Sequence, residues 1–286
     1  MHVTVNGVRL FFDVLNPQLE IVSDGLQDKP TLVCLPGGPG GDHQTLRPFV
    51  DRFANVAQVV YLDHRASGRS ERGDPTTWTL DQWGDDVAAF CDALGIVKPL
   101  VLGVSGGALV AQAYLSGHPH HAGGAVLVNP CARMVRDVVV AGFEKLGGPE
   151  AGAAARAMYT RGAPEDVPAF FKYCLPFYSQ TRNFAALQAG STRTTFDLQV
   201  SQHFFHEGGE AFRFDHRNAL GQVSCPVLLL AGAHDPVTRA EWGTEVAAAL
   251  PAGGGELVIF EDSSHILMAD EPERLTQCVE AFLAAR

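Results

Sequence analysis

The 286-residue sequence has no Cys-x-x-Cys pair: Cys34, Cys91, Cys131, Cys174, Cys225 and Cys278 stand singly along the chain. That spacing excludes a zinc ribbon or a disulfide framework and predicts reduced, mostly buried thiols. Basic residues are scarce: 21 Lys and Arg face 32 Asp and Glu, a net charge of -11, and no stretch gathers them into a patch. Nucleic acid is therefore not an expected partner. Long apolar runs are missing as well. None approaches the roughly 18 residues of a membrane span, and the opening MHVTVNGVRL has no basic segment leading into an apolar one. The expectation is a soluble, cytoplasmic protein with no membrane partner. What is present is ordinary globular composition, 46% hydrophobic and 19% charged, with length enough for a sizeable core.

Two strand-like runs, residues 3–5 and 8–15, flank Asn6-Gly7, a dipeptide suited to a type I′ hairpin turn. Short, continuously apolar runs follow at 31–35, 56–62, 100–104, 125–129, 227–231 and 256–260. Continuous rather than alternating apolarity implies strands buried on both faces. Helical stretches lie between them at 79–94, 108–115, 238–250 and 271–285. Thr79-x-x-Gln82 and Thr238-x-x-Glu241 both fit a capping box. The alternation predicts an α/β fold, a mainly parallel sheet with helices on both faces.

It stops between about residues 134 and 222, where Pro149, Pro164, Pro168 and Pro176 interrupt the pattern and no strong strand run occurs. The segment holds 13 of the chain's 25 aromatics, among them Phe170, Phe171, Tyr173, Phe184 and Phe196. It is expected to be a helical cap inserted into a core made of residues 1–133 and 223–286. Most of its rings should pack the cap onto the core. Phe177, Tyr178, Phe204 and Phe205 are candidates to face a substrate.

Gly103-Val104-Ser105-Gly106-Gly107 follows one strand run and precedes a helix, the context of a nucleophile elbow. By chance the bare pattern occurs in roughly a tenth of chains this rich in glycine, so its position carries the weight. A serine hydroxyl needs a base to take its proton, and the base needs an acid to orient it. Asp235 and His265 follow the strand runs ending at 231 and 260, in the order Ser, Asp, His. His234 and Asp262 are their nearest competitors. The glycine-rich loop 36–41 after the first core strand, with Gly38, and the residue after the serine, Gly106, are assigned as N–H donors to an oxyanion. The stretch from Asp63 to Ser70 reads as a structural loop. His203 and His206 lack a third ligand at sensible spacing, so neither a metal nor a cofactor is expected.

On Gly37-Gly38-Pro39-Gly40, Asp63-x-Arg65-x-Ser67-Gly68-Arg69-Ser70, the Ser105 elbow and Ser263-Ser264-His265, the chain resembles the α/β-hydrolase superfamily, and within it the proline iminopeptidase-like branch. The resemblance covers the whole chain and implies a cap over Ser105. Branch members usually carry His where this chain has Pro36, and often a bulky residue where it has Gly106. True prolyl aminopeptidases hold the substrate amine with two acids, at positions occupied here by Phe204 and Pro236, while Glu207 and Glu210 lie close enough in sequence to compensate. The reading is therefore a serine hydrolase of a small apolar ester, lactone or amide. An aminopeptidase, a carbon–carbon bond hydrolase and a ligand receptor on the same fold are the alternatives. Dehalogenase or epoxide hydrolase chemistry would want an aspartate in place of Ser105.

Overall fold

The computed structural model describes residues 1–23, 25–181 and 193–286, and Phe184 lies outside them. His2–Val5 (β1) and Val8–Val14 (β2) form the expected hairpin, with Asn6 and Gly7 at φ 46° and 76°, as a type I′ turn requires. Then come Leu19–Val22 (β3) and Gly25–Asp28 (β4), a short exposed hairpin that the sequence pattern does not single out. The remaining strands are Thr31–Leu35 (β5), Gln58–Leu62 (β6), Leu100–Val104 (β7), Gly124–Val128 (β8), Val227–Gly232 (β9) and Gly255–Phe260 (β10). The eight-stranded sheet has the order β1-β2-β6-β5-β7-β8-β9-β10. From β6 to β10 every pairing is parallel.

The apolar runs are continuous because successive residues feed two different cores. Leu32, Cys34, Leu102, Val126 and Leu228 face Val50 and Phe53 on one side and the helix Pro272–Ala284 beyond them, through Leu275, Val279 and Phe282. Val33, Leu35, Val101, Leu127 and Leu229 face the opposite side, against helices α1 (Leu80–Ala93) and α2 (Gly106–Gly117). Thr79 caps α1, its hydroxyl accepting the Gln82 N–H at 3.2 Å. The second capping box does not form. The helix of residues Ala240–Ala249 starts after Arg239, which pairs with Glu241, and the Thr238 hydroxyl turns to Asp235 instead.

Among the described residues of 134–222 the regular elements are helical. The longest, Arg136–Met158 (α3), is broken at Gly148 (φ 77°) before Pro149, where the missing N–H and the ring forbid a continuous helix. Val167–Tyr173 (α4) and Leu198–Phe205 (α5) follow. The cap shares the α1/α2-side core and is laced to the glycine loop by an antiparallel bridge, Gly41 to Phe196. No helix among the described residues is long and apolar enough to cross a membrane.

The loop from Asp63 to Ser70 is a scaffold. Asp63 accepts the N–H groups of His43 and Arg69, and Arg65 forms a two-pronged ion pair with Asp86 at 2.7 and 2.9 Å. His64 is buried flat against Trp83, ring centroids 5.0 Å apart, and its Nε2–H donates to the Pro36 carbonyl at 3.3 Å. Burial pushes the imidazole down from 6.5 to about 4, against the opposing pull of Pro36, Asp63 and Asp86. Between those values the unfolded chain binds a proton that the fold refuses. The neutral ring's contribution is thus full above pH 6.5 and is lost as pH falls to about 4, a loss of about 3 kcal/mol. Urea unfolding measured across that window should show this slope in the native protein and a flatter one in His64→Gln. Equal slopes would refute the assignment.

Candidate active site

Four strand ends converge. β5 leads into the glycine loop, β7 into Ser105, β9 into Asp235 and β10 into His265, so every candidate group sits at the carboxyl edge of the parallel sheet. Ser105 stands between β7 and α2 at φ 53°, ψ -115°, a conformation that L-residues rarely adopt. The surrounding glycines explain how the turn is tolerated. A methyl group on Gly103 would strike the Gly107 carbonyl, and one on Gly107 would strike the Leu35 carbonyl.

The serine hydroxyl lies 3.0 Å from His265 Nε2, and His265 Nδ1 lies 2.7 Å from Asp235 Oδ2. Asp235 is fully sequestered and also accepts the Val237 N–H (2.7 Å), the Thr238 N–H (3.0 Å) and the Thr238 hydroxyl (2.8 Å). Burial alone would raise its pKa. The field and hydrogen bond of His265, together with the Val237 and Thr238 donors, outweigh burial and hold the carboxyl below its ordinary range. An ionised acceptor on Nδ1 leaves Nε2 free to take the proton of Ser105. The competing residues fall away: His234 and Asp262 are both exposed.

Gly38 and Gly106 come together closely. A side chain on Gly106 would collide with the Gly38 carbonyl, and its Cβ would lie 3.2 Å from the Gly38 nitrogen. This is why the bulky residue usual in the proline iminopeptidase-like branch has no room here. Gly106 is the first residue of α2, where a backbone N–H has no helical partner. Neither its N–H nor that of Gly38 donates to a backbone carbonyl among the described residues. Two donors therefore stand beside the serine with capacity to hold an oxyanion.

The cap residues divide. Tyr178 meets His265 edge-on at 5.0 Å, and its hydroxyl lies 3.4 Å from that of Tyr159. Burial, with the neighbouring Tyr159 and Asp235, pushes the Tyr178 phenol well above its ordinary value, so it stays neutral. Phe177 is half-buried beside it, and its carbonyl accepts the Ser264 hydroxyl at 2.6 Å. Phe205 packs on Tyr159 and Phe212, one ring further from His265. Phe204 requires a correction. It is fully buried on Trp83, at 4.9 Å between centroids, and so is a packing residue with no surface left for a ligand. Pro236 is buried under Gly142 of α3. Glu207 is exposed and paired with Arg136, while Glu210 accepts the Leu80 N–H and an Arg213 donor. No carboxylate of this set is left to hold an ammonium. His203 and His206 are likewise engaged by backbone carbonyls, of Trp78 and of Gln202 and His203 respectively.

Sequence reasoning missed three supporting residues. Asn129, at the end of β8 with φ 51°, donates to the His265 carbonyl (2.6 Å) and accepts the Gly232 N–H (3.0 Å). Its only signal was an amide closing an apolar run. Thr238 was read as a helix cap, and Asp270 was hidden just before the last helix.

Three comparisons bear on the arrangement. The chain is 25% identical over 281 residues to a proline iminopeptidase of Saccharolobus solfataricus, covering 88% of this chain and 84% of that one. It is also 25% identical over 268 residues to 3-oxoadipate enol-lactonase 1 of Acinetobacter baylyi, covering 93% and 92%. The crystal structure of a Mycobacterium smegmatis proline iminopeptidase superimposes with a TM-score of 0.77 at 21% identity, covering 100% and 97%, which speaks to the fold. Residues 30–272 match the model of the alpha/beta hydrolase fold, and together with the sheet order and the elbow at Ser105 this establishes that the chain belongs to the alpha/beta hydrolase fold family.

Proposed function

We propose that the protein is a serine hydrolase that cleaves a small apolar ester, lactone or amide through an acyl-enzyme. The observation that carries the reading is the relay Ser105–His265–Asp235, at 3.0 and 2.7 Å, beside the two free N–H groups of Gly38 and Gly106. Ser105 Oγ attacks the substrate carbonyl carbon while its proton passes to His265 Nε2. The carbonyl oxygen becomes an anion held by the Gly38 and Gly106 N–H groups. When the adduct collapses, the bond to the leaving group breaks and Nε2 returns the proton to the departing oxygen or nitrogen. Water then gives a proton to Nε2 and adds to the acyl carbon. The acid is released as the proton goes back to Ser105.

The apolar preference rests on what surrounds His265: the neutral Tyr178, with Tyr159, Phe143 and Phe170 behind it. An aminopeptidase would need a carboxylate for the substrate ammonium, whose burial unpaired costs several kcal/mol. Phe204, Pro236, Glu207 and Glu210 supply none. Lactonases and iminopeptidases both occur among the relatives, and the missing anchor favours the former chemistry. The six cysteines, all free, accord with a reducing compartment, the cytoplasm in this reading.

Ser105→Ala should lower turnover of p-nitrophenyl esters by about 10^4-fold or more, and a fluorophosphonate should label the native protein but not the variant. Wild-type turnover in the variant would sink the mechanism. Asp235 should add no step to the pH profile of kcat at or above the ordinary carboxylate range, because its carboxyl is held below that range; a step there would refute the assignment. A prolyl amide and its N-acetylated counterpart should be cleaved with similar kcat/KM. A preference for the free amine above about 100-fold would instead mean a buried ammonium partner exists.

A further inference from the structure

The backbone of His265 is gripped on three sides. The Ser264 N–H donates to Asp270 Oδ2 (2.8 Å), the Ile266 N–H donates to the Tyr178 carbonyl (2.9 Å), and the His265 carbonyl accepts from Asn129 (2.6 Å). Asn129 belongs to the sheet. The other two contacts lead to the cap, because Asp270 Oδ1 accepts the Ser179 hydroxyl (2.5 Å) and the Thr181 N–H (3.1 Å). One carboxylate thus carries the loop of the base on one oxygen and the cap segment 177–181 on the other. Its neighbour Glu271 is occupied elsewhere, by the Ser263 hydroxyl and Arg274.

We propose that Asp270 is a positioning residue: by locking the His265 loop to the cap it sets the aim of the imidazole at Ser105, so the base is in place only while the cap is seated. The proposal rests on the hydrolase reading of Ser105. General-base transfer tolerates only about 0.5 Å of misplacement, and a shift of about 1 Å can cost on the order of 100-fold in rate. Residues 261–266 form a short connection between β10 and the turn Leu267–Asp270. Without Asp270 the Ser264 N–H has no side-chain acceptor, and the cap holds this loop only through the Phe177 and Tyr178 carbonyls.

Asp270→Asn is a sharp test because it keeps the shape while replacing one acceptor oxygen by an NH2 group. Donors approach both oxygens of Asp270, so whichever way the amide turns, it can serve the loop or the cap but not both. The expected result on a p-nitrophenyl ester is a kcat lower by about 10- to 100-fold with KM within about twofold. The low-field proton shared by His265 Nδ1 and Asp235, followed by NMR in histidine-labelled protein, should move or broaden at the same time. A folded variant with wild-type kcat overturns the proposal, and so does a fall in kcat with that proton unmoved. If Asp270→Asn fails to fold, Ser179→Ala removes the hydroxyl by which the cap reaches Asp270 Oδ1 and leaves the Ser264 N–H contact in place. It should lower kcat by about threefold with the same proton signature, and a wild-type signature there also overturns the proposal. Absence of both turnover and Ser105 labelling in the native protein would overturn the hydrolase reading instead, and the proton comparison would still report whether Asp270 orients His265.

Discussion

The contact on which the site depends is backbone against backbone, where the loop after β5 lies directly on the elbow after β7. Gly37 and Gly38 rest on Val104 to Gly106, and Gly107 rests on Leu35 and Pro36, all without intervening side chains. Such an approach is open only to glycine, whose lack of a Cβ lets two chains come within van der Waals reach of each other. It places the strained Ser105 beside the Gly38 and Gly106 N–H groups, so the nucleophile and oxyanion donors we propose are fixed by one interface. Strain at Ser105 persists because the interface leaves the turn no alternative.

The base is built differently. Ser105 is rigid through its strand and helix, whereas His265 sits on a loop and owes its place to hydrogen bonds from three directions. Asp235 is likewise wrapped by Val237, Thr238 and His265, four donors for one buried carboxylate. That saturation lets a charge exist at the bottom of the site, since a buried carboxylate without donors would take up a proton. On the cap side of His265 the Tyr178 ring meets the imidazole, and its hydroxyl pairs with that of Tyr159. The carboxylate of this arrangement thus lies behind His265, on the side away from Ser105.

The cap bears on specificity through what it withholds. Phe204 is spent on Trp83, Pro236 on α3, Glu207 on Arg136, and Glu210 on the start of α1. Phe204, Pro236 and Glu210 join the cap segment to the core, and Glu207 ties the cap segment to itself. Segment 134–222 thus reaches the base loop through Asp270 and the glycine loop through the Gly41–Phe196 bridge.

Much of this was legible in the sequence because it is written in local patterns. Apolar runs of five to seven residues marked the strands, a glycine two places on each side of Ser105 marked the elbow, and the order Ser105, Asp235, His265 marked the relay. Those signals survive because burial on both faces and steric minimality constrain residue type directly. Tertiary structure decided whatever depends on partners distant in the chain. Thr238 had the spacing of a helix cap, yet its hydroxyl turned to Asp235, whose same oxygen also meets His265, thirty residues further along the chain. Phe204 looked like a pocket wall, yet Trp83, more than a hundred residues earlier, buried it. Asn129 shows only an amide closing an apolar run and Asp270 has no local signature, since a single amide or carboxylate can hold His265 only after the sheet and cap have brought it there. Local sterics fixed which residue could attack, and long-range packing chose what aims the base and which side chains are left to meet a substrate.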